Sequence, residues 1–364
     1  MPKINIRKHI EKLRPYKGVE PVDHIAKKIN QESSALIKLD ANENPYGASS
    51  KVKSILSDSD ISVYPDPNQI EVRAILEAYT GLPADNIVAG AGADELIDLI
   101  ARLTIEPGDN VINLPPTFGM YSVVTDINAG KTIDVPRNNN FEVSVSEIKN
   151  AITNNTKIIF ICNPNNPSGT LTSEATLKEI LELGPLVVID ETYHEFSGYT
   201  AAQLVLEHEN AVVLRSLSKW AGLAGLRIGY CIVPKYLAEY LLAIKSPYNV
   251  SIAAQQALIA TMDDTDYLLA NVRSLVRERE RMKQALEKIS GIICYPSKGN
   301  FLLCRFPENF GDTINAHLLE HGIIVRKFDD PSLKDCLRIS SGMPSQTNAV
   351  IETIEVFMEN RGSK

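Results

Sequence analysis

The feature that most constrains the fold is an alternation of short apolar runs with amphipathic segments between residues 86 and 243. The apolar runs have the length and β-branched content of buried strands, and the segments between them carry apolar residues at helical spacing. Strands that alternate with helices predict an α/β fold with a mainly parallel central sheet covered on both faces. The predicted strands are residues 87–89, 110–114, 131–135, 157–162, 186–190, 211–215 and 227–233.

The pattern changes after residue 247. A long helix is predicted over residues 266–289, and shorter strands and helices alternate from there to residue 359, which indicates a smaller α+β unit. The first 40 or so residues are too few to fold alone, so we expect them to pack on that unit or on a partner subunit. We therefore predict a large domain of residues 45–245 and a small domain built from residues 1–44 and 246–364.

Composition excludes several classes of function. With 37 basic and 45 acidic side chains among 364 residues, the net charge of −8 disfavours nucleic acid as a partner. The first residues lack the apolar core and cleavage site of a secretory signal, so we expect none. No apolar run approaches the ~20 residues that a membrane span needs. Five widely spaced cysteines without CxxC pairs are typical of reduced thiols, so we expect a cytoplasmic protein without membrane association.

Polar residues follow several of the predicted strands, where parallel sheets bind their ligands. Residues 90–95 (GAGADE) open a helix whose free N–H groups could hold a phosphate. Asn166 lies in an Asn-Pro turn, and Asp190 ends an apolar strand, where a carboxylate is costly without a partner. Lys219 lies just past another strand near cations, which favours the neutral amine that a Schiff base needs. Each alone could be a turn, a helix cap or a surface lysine, but their coincidence at one sheet edge favours a catalytic site.

The order of these motifs resembles the fold-type I pyridoxal-phosphate aminotransferases. The motifs are NPSG, DETY, SLSK and an arginine eight residues after the lysine. Further segments narrow the resemblance to the family of histidinol-phosphate aminotransferases, and it extends from about residue 13 to residue 354. Those segments are LRPY, LDANENPYG, YPDP, GADE, PPTFGMY, LAGLRIGY, IIVRKF and LRISSG.

The resemblance implies a bound pyridoxal 5'-phosphate and a role for each strand-end residue. Lys219 would bond the cofactor and then act as the base that moves the substrate proton. Asp190 would keep the pyridine nitrogen protonated. Asn166 and Tyr193 would donate hydrogen bonds to the phenolate oxygen. Phe118 would stack on the ring, although many relatives carry tyrosine there, so this site loses a hydroxyl.

The resemblance also implies how the cofactor phosphate is held. It would lie among the backbone N–H groups of Ala93 and Asp94 and the side chains of Ser216, Ser218 and Arg227. In this family a tyrosine of the YPDP segment reaches the phosphate from the neighbouring subunit. Tyr64 therefore implies a homodimer with shared active sites.

Two arginines define the part of the site that is expected to bind the substrate. Arg338 occupies the position at which family members clamp a substrate carboxylate, and Arg326 lies twelve residues earlier at the end of a predicted strand. Two guanidinium groups suit a phosphate dianion, and Tyr16 would add a hydroxyl donor. The same pair must also accept the carboxylate of glutamate. Arg326 could alternatively be an ordinary surface arginine.

The resemblance implies transfer of an amino group between histidinol phosphate and 2-oxoglutarate, in histidine biosynthesis. An aromatic aminotransferase or a threonine-phosphate decarboxylase would share the cofactor site, and a non-catalytic cofactor-binding regulatory domain is a more remote alternative. Ser216 and Lys219 also match the Ser-x-x-Lys of penicillin-recognising hydrolases, but the later motifs of that class are absent. His317 and His321 match a zinc-binding spacing, but no further ligand is evident, so we predict no metal site.

Overall fold

The structure is a computed structural model that describes residues 4–13 and 15–362. The strands of these residues form two sheets. The strands are β1 (Ile37–Leu39), β2 (Ile87–Gly90), β3 (Asn110–Asn113), β4 (Lys131–Asp134), β5 (Thr156–Cys162), β6 (Leu186–Asp190), β7 (Ala211–Ser216), β8 (Gly229–Ile232), β9 (Ile293–Cys294), β10 (Phe301–Arg305), β11 (Ile323–Lys327) and β12 (Cys336–Ser340).

Helices cover both sheets. They are α1 (Val22–Ile29), α2 (Ser50–Asp58), α3 (Ile70–Thr80), α4 (Ala93–Thr104), α5 (Met120–Ile127), α6 (Val145–Ala151), α7 (Glu174–Leu181), α8 (His194–Ser197), α9 (Leu204–Glu207), α10 (Lys235–Ile244), α11 (Ile252–Met262), α12 (Thr265–Leu286), α13 (Gly311–Glu320) and α14 (Pro344–Gly362). Among the described residues, no helix is both long and apolar enough to cross a lipid bilayer.

The larger sheet has the order β2-β8-β7-β6-β5-β3-β4. Its strands are parallel except β8, which runs antiparallel to both of its neighbours. Alternate residues of the apolar runs are buried on opposite faces: Ile158 and Val188 in one core, Ile159 and Val187 in the other. Burial on both faces explains why these strands are continuously apolar. The predicted fold class is confirmed.

One predicted strand is wrong at its start. β8 begins at Gly229 rather than at residue 227, because Arg227 has a left-handed backbone (φ 53°) after the 3-10 turn Ala224–Leu226. A Cβ on Gly229 would lie 2.8 Å from the carbonyl oxygen of Arg215 and 2.9 Å from the nitrogen of Ala93. Glycine therefore lets β8 pass close to the start of α4, where the predicted phosphate site lies.

The smaller sheet has the order β1-β11-β12-β10-β9 and unites the two ends of the chain. β1 pairs in parallel with β11, and Leu39 joins the core formed by Leu302, Ile339 and the apolar face of α14. Val250 to Leu275, from α11 and the first half of α12, pack in the core of the larger sheet, although they lie beyond residue 245. The domain boundaries at 44/45 and 245/246 stay a prediction.

Candidate active site

A cavity of about 710 Å³ opens at the carboxyl edge of β5, β6 and β7, where the smaller sheet faces the larger one. Every predicted site residue except Tyr64 lines it. These are Tyr16, Ala93, Asp94, Phe118, Asn166, Asp190, Tyr193, Ser216, Ser218, Lys219, Arg227, Arg326 and Arg338. For the residues at the ends of β5, β6 and β7 the convergence follows from topology, because neighbouring parallel strands end at one edge of a sheet.

Lys219 extends into this cavity, where its Nζ donates a hydrogen bond to the carbonyl oxygen of Ala41 at 2.9 Å. Burial lowers the pKa of Lys219 to about 8, and the positive charge of Arg338 adds to the effect. Both causes disfavour the ammonium form. A lysine with this pKa is about one-tenth neutral at pH 7, far more than an ordinary lysine, and can act as a nucleophile or a base.

We expect Lys219 to be acetylated with a pH midpoint near 8 in protein freed of any bound cofactor. Only the neutral amine reacts, so its reactivity should rise through that pH. Lys235 is an internal control, because its ion pair with Asp85 raises its pKa. Short pulses of acetic anhydride followed by peptide mass spectrometry measure both lysines in one sample. A Lys219 midpoint as high as that of Lys235 would contradict the assignment.

Asp190 is a buried carboxylate, 3% exposed, at the end of β6. Its Oδ1 accepts hydrogen bonds from Thr192 N (3.0 Å) and Thr192 Oγ1 (2.6 Å), and its Oδ2 accepts one from the hydroxyl of Tyr121 (2.7 Å). Burial raises the pKa of Asp190, and no basic side chain among the described residues forms a salt bridge with it. A buried carboxylate facing a cavity without a counter-ion fits a cationic ligand atom.

Features of an anion site surround the start of α4. Gly92 precedes the helix with φ 84° and provides no side-chain cap, and a Cβ there would lie 2.6 Å from Arg227 Nη2. Arg227 is half exposed and pairs with Asp94 at 2.9 Å. Ser216 and Ser218 are buried beside it. Helix N–H groups, hydroxyls and a guanidinium form a set of donors that suits a phosphate.

Polar contacts link the loop after β5 to the smaller sheet. Asn166 Oδ1 accepts a hydrogen bond from Arg338 Nη1 at 2.5 Å, which leaves its amide N–H₂ as the group able to donate. The hydroxyl of Tyr193 accepts a hydrogen bond from Asn42 Nδ2 at 3.0 Å, and burial raises the pKa of Tyr193. Tyr193 therefore keeps its own proton to donate. Phe118 contacts the ring of Tyr16 edge-on, with 5.9 Å between centroids.

Arg326 and Arg338 lie directly opposite each other on β11 and β12. Arg338 is buried and also donates to the carbonyl oxygen of Asp40, whereas Arg326 donates to the carbonyl oxygens of Lys17 and Gly18. Neither arginine forms a salt bridge with a described carboxylate. Like charges opposite each other on a sheet repel, so a multivalent anion between them would relieve the repulsion.

Tyr64 lies outside this cavity. Its side chain is 78% exposed and stacks on Tyr248, with 4.4 Å between ring centroids. Three residues at the site were not predicted: Asn42, which bonds Tyr193, and Tyr121 and Thr192, which bond Asp190. Asn42 lies in the LDANENPYG segment and Tyr121 ends PPTFGMY, so the matching segments were the available signal. Arg14 of the LRPY segment lies outside the described residues.

Comparison with known proteins assigns the chain to a family. The sequence model of class I and II aminotransferases matches residues 34–354, so the chain belongs to that family. Within it, the chain belongs to the histidinol-phosphate aminotransferases. It is 46% identical over 330 residues to the histidinol-phosphate aminotransferase of Dehalococcoides mccartyi, covering 90% of this chain and 92% of the relative. It is 41% identical over 360 residues to that of Roseiflexus castenholzii, covering 96% and 97%.

A solved structure extends the comparison to the fold. It is the histidinol-phosphate aminotransferase from Sinorhizobium meliloti in complex with pyridoxal-5'-phosphate. The match has a TM-score of 0.89 and covers 99% of both chains at 23% sequence identity. At this identity the likeness concerns the fold, which agrees with the mainly parallel sheet and the smaller second sheet described above.

Proposed function

We propose that this chain is a pyridoxal-phosphate-dependent transaminase that interconverts histidinol phosphate and 2-oxoglutarate with imidazole-acetol phosphate and glutamate. The observation that carries the proposal is a single cavity with an amine of lowered pKa, a buried carboxylate without a counter-ion and a pair of facing arginines. The named relatives, at 41–46% identity over nearly their whole length, support the substrate assignment.

The residues present fit the cofactor. Asp190 would hold the proton on the ring nitrogen, which supplies the positive charge that this buried carboxylate lacks. Phe118 would contact the ring face, and Asn166 and Tyr193 would donate to the ring oxygen. The backbone at the start of α4, together with Ser216, Ser218 and Arg227, would bind the phosphate. When bound, pyridoxal phosphate supplies an electron sink and carries the amino group between the two substrates.

Lys219 moves the proton in this proposal. In the first half-reaction its neutral Nζ would take the proton from the substrate Cα and deliver it to C4′ of the cofactor. In the second half-reaction it would move a proton from C4′ to the Cα of the newly formed amine, and a pKa of about 8 suits both directions. Arg326 and Arg338 bind the substrate phosphate and hold the Cα within reach of that nitrogen. The two arginines accept the glutamate carboxylate in turn, because a planar guanidinium fits a carboxylate and a phosphate alike.

A substrate panel tests the proposal. The purified chain is incubated with 2-oxoglutarate and either histidinol phosphate, phenylalanine, tyrosine or threonine phosphate, and glutamate and CO₂ are measured separately. We expect histidinol phosphate to give the highest kcat/KM for glutamate formation. Preferred turnover of an aromatic amino acid would support an aromatic aminotransferase instead, and CO₂ release from threonine phosphate would support the decarboxylase.

The proposal includes a cytoplasmic homodimer with shared active sites. Tyr64 supports it, because a ring that is 78% exposed on its own subunit is available to a neighbouring one. The five thiols, all buried and unpaired, support a reducing compartment.

We expect Tyr64→Ala to weaken binding of pyridoxal phosphate about tenfold, because one hydrogen bond to a charged group is lost. Tyr267→Ala is the matched control, since Tyr267 is likewise an exposed tyrosine (52% exposed) but lies on α12. Fluorescence titration of cofactor-free protein measures both affinities, and analytical ultracentrifugation measures the assembly. A monomeric parent, or equal losses in the two variants, would contradict shared sites.

A further inference from the structure

Tyr121 is fully buried at the start of α5, and its hydroxyl donates a hydrogen bond to Asp190 Oδ2 at 2.7 Å. We infer that Tyr121, together with Thr192, is a positioning residue that keeps Asp190 ionised and oriented toward a cationic ring nitrogen. This inference rests on the proposed function, because the ring nitrogen belongs to the proposed cofactor. It goes beyond that function because it assigns a positioning role to two residues that do not themselves react.

Asp190 depends on its donors to stay charged. It is 3% exposed and forms no salt bridge with any described residue, so burial acts to raise its pKa. Three hydrogen bonds oppose that effect: two from Thr192 to Oδ1 and one from Tyr121 to Oδ2. A hydrogen bond to the charged form favours it, and a protonated Asp190 would no longer attract a protonated ring nitrogen. Losing one donor should therefore weaken the interaction that the cofactor makes with this carboxyl.

Packing fixes the direction of the Tyr121 hydroxyl. The ring stacks on Phe160 of β5 with 4.6 Å between centroids and an interplanar angle of 5°. It also contacts Phe118 edge-on, at 5.6 Å and 82°. A fully buried ring with two aromatic contacts has little freedom to turn away from Asp190, so the hydrogen bond is preorganised. The contact with Phe118 joins Tyr121 to the ring proposed to touch the cofactor.

A second explanation is that Tyr121 is a core residue whose hydroxyl bonds the nearest acceptor. Buried tyrosines usually find such a partner. Tyr230 offers the comparison: it is 1% exposed on β8, its hydroxyl accepts from Arg215 at 3.3 Å, and it does not line the cavity. The two explanations differ in one respect. Only a positioning role makes the effect of the hydroxyl depend on the nitrogen of the cofactor ring.

The experiment compares two ligands on cofactor-free protein: pyridoxal phosphate and its 1-deaza analogue, in which carbon replaces the ring nitrogen. We expect Tyr121→Phe and Thr192→Val each to weaken binding of pyridoxal phosphate about tenfold, the scale of one hydrogen bond to a charged group. Binding of the 1-deaza analogue should not change, because it presents no N–H to Asp190. Tyr230→Phe should change neither affinity. Thermal unfolding of each cofactor-free variant is measured in parallel.

Equal weakening for both ligands would assign Tyr121 to packing alone and overturn the inference, as would unchanged affinity for pyridoxal phosphate in both variants. Either variant alone suffices for the comparison if the other does not fold. Failure of the cofactor assignment in the proposed function is a separate result: the parent chain would then bind neither ligand, and the inference would be overturned with it. Failure of the substrate assignment would appear in the substrate panel and would leave this comparison unaffected.

Discussion

Lys219→Ala is expected to lower transamination of histidinol phosphate by roughly 10⁴-fold or more, because this side chain is proposed to supply both the nucleophile and the base. The lowered pKa of Lys219 and its place inside the cavity are the physical basis. Steady-state glutamate formation measures the loss. Borohydride reduction followed by mass spectrometry should find cofactor fixed to the parent chain and none fixed to the variant.

Lys235→Ala is the control for this prediction. Lys235 is exposed at the start of α10, pairs with Asp85 in the 3-10 turn before β2, and does not line the cavity. Its removal should leave both turnover and the cofactor absorbance unchanged. If the Lys219 variant kept the visible absorbance that borohydride bleaches in the parent, Lys219 would not be the residue that bonds the cofactor.

Arg326→Ala is expected to lower kcat/KM for histidinol phosphate by about 10- to 100-fold, the scale of a charge-assisted contact to a phosphate. The loss for glutamate should be smaller, because a carboxylate carries one charge and Arg338 remains to bind it. Arg326→Gln separates the effect of the charge from that of the hydrogen bonds, since glutamine is neutral but keeps a donor toward the carbonyl oxygens of Lys17 and Gly18. Kinetics on both substrates give the comparison.

Arg305→Ala is the matched control for Arg326. Arg305 lies on β10 of the same sheet, contacts the ring of Tyr295 and lines no part of the cavity. Arg305→Ala removes one positive charge, as Arg326→Ala does. Equal losses for Arg305→Ala and Arg326→Ala would show a general effect of charge and exclude Arg326 as a phosphate ligand.

The strand-end residues were predictable because their signal is local. Asn166, Asp190 and Lys219 each follow an apolar run, and parallel strands bring such positions to one edge whatever their separation in sequence. Arg227 was placed in a strand because its neighbours are apolar. It instead ends the 3-10 turn Ala224–Leu226 with a left-handed backbone, which is uncommon for residues other than glycine.

Contacts that depend on long-range pairing could not be predicted. Asn42 reaches Tyr193 only because β1 joins a sheet formed by distant strands. Arg326 and Arg338 were expected to share a ligand, but their direct opposition depends on the register of β11 and β12. Tyr121 has the helical spacing of an ordinary core residue, and only the structure shows that its hydroxyl bonds Asp190. The roles of these residues in catalysis stay predictions.

The pairing of β1 with β11 has a consequence for biosynthesis of the chain. Ile37 leaves the ribosome well before its partner Ile323, which lies far downstream in the chain. The strands of the larger sheet, with Lys219 and Asp190, are therefore all made before β9 to β12 of the smaller sheet. Arg326 and Arg338 arrive with β11 and β12, so a nascent chain would have the residues proposed to bind the cofactor before those proposed to bind the substrate. The proposed capacity to bind cofactor would therefore precede the capacity for turnover during synthesis.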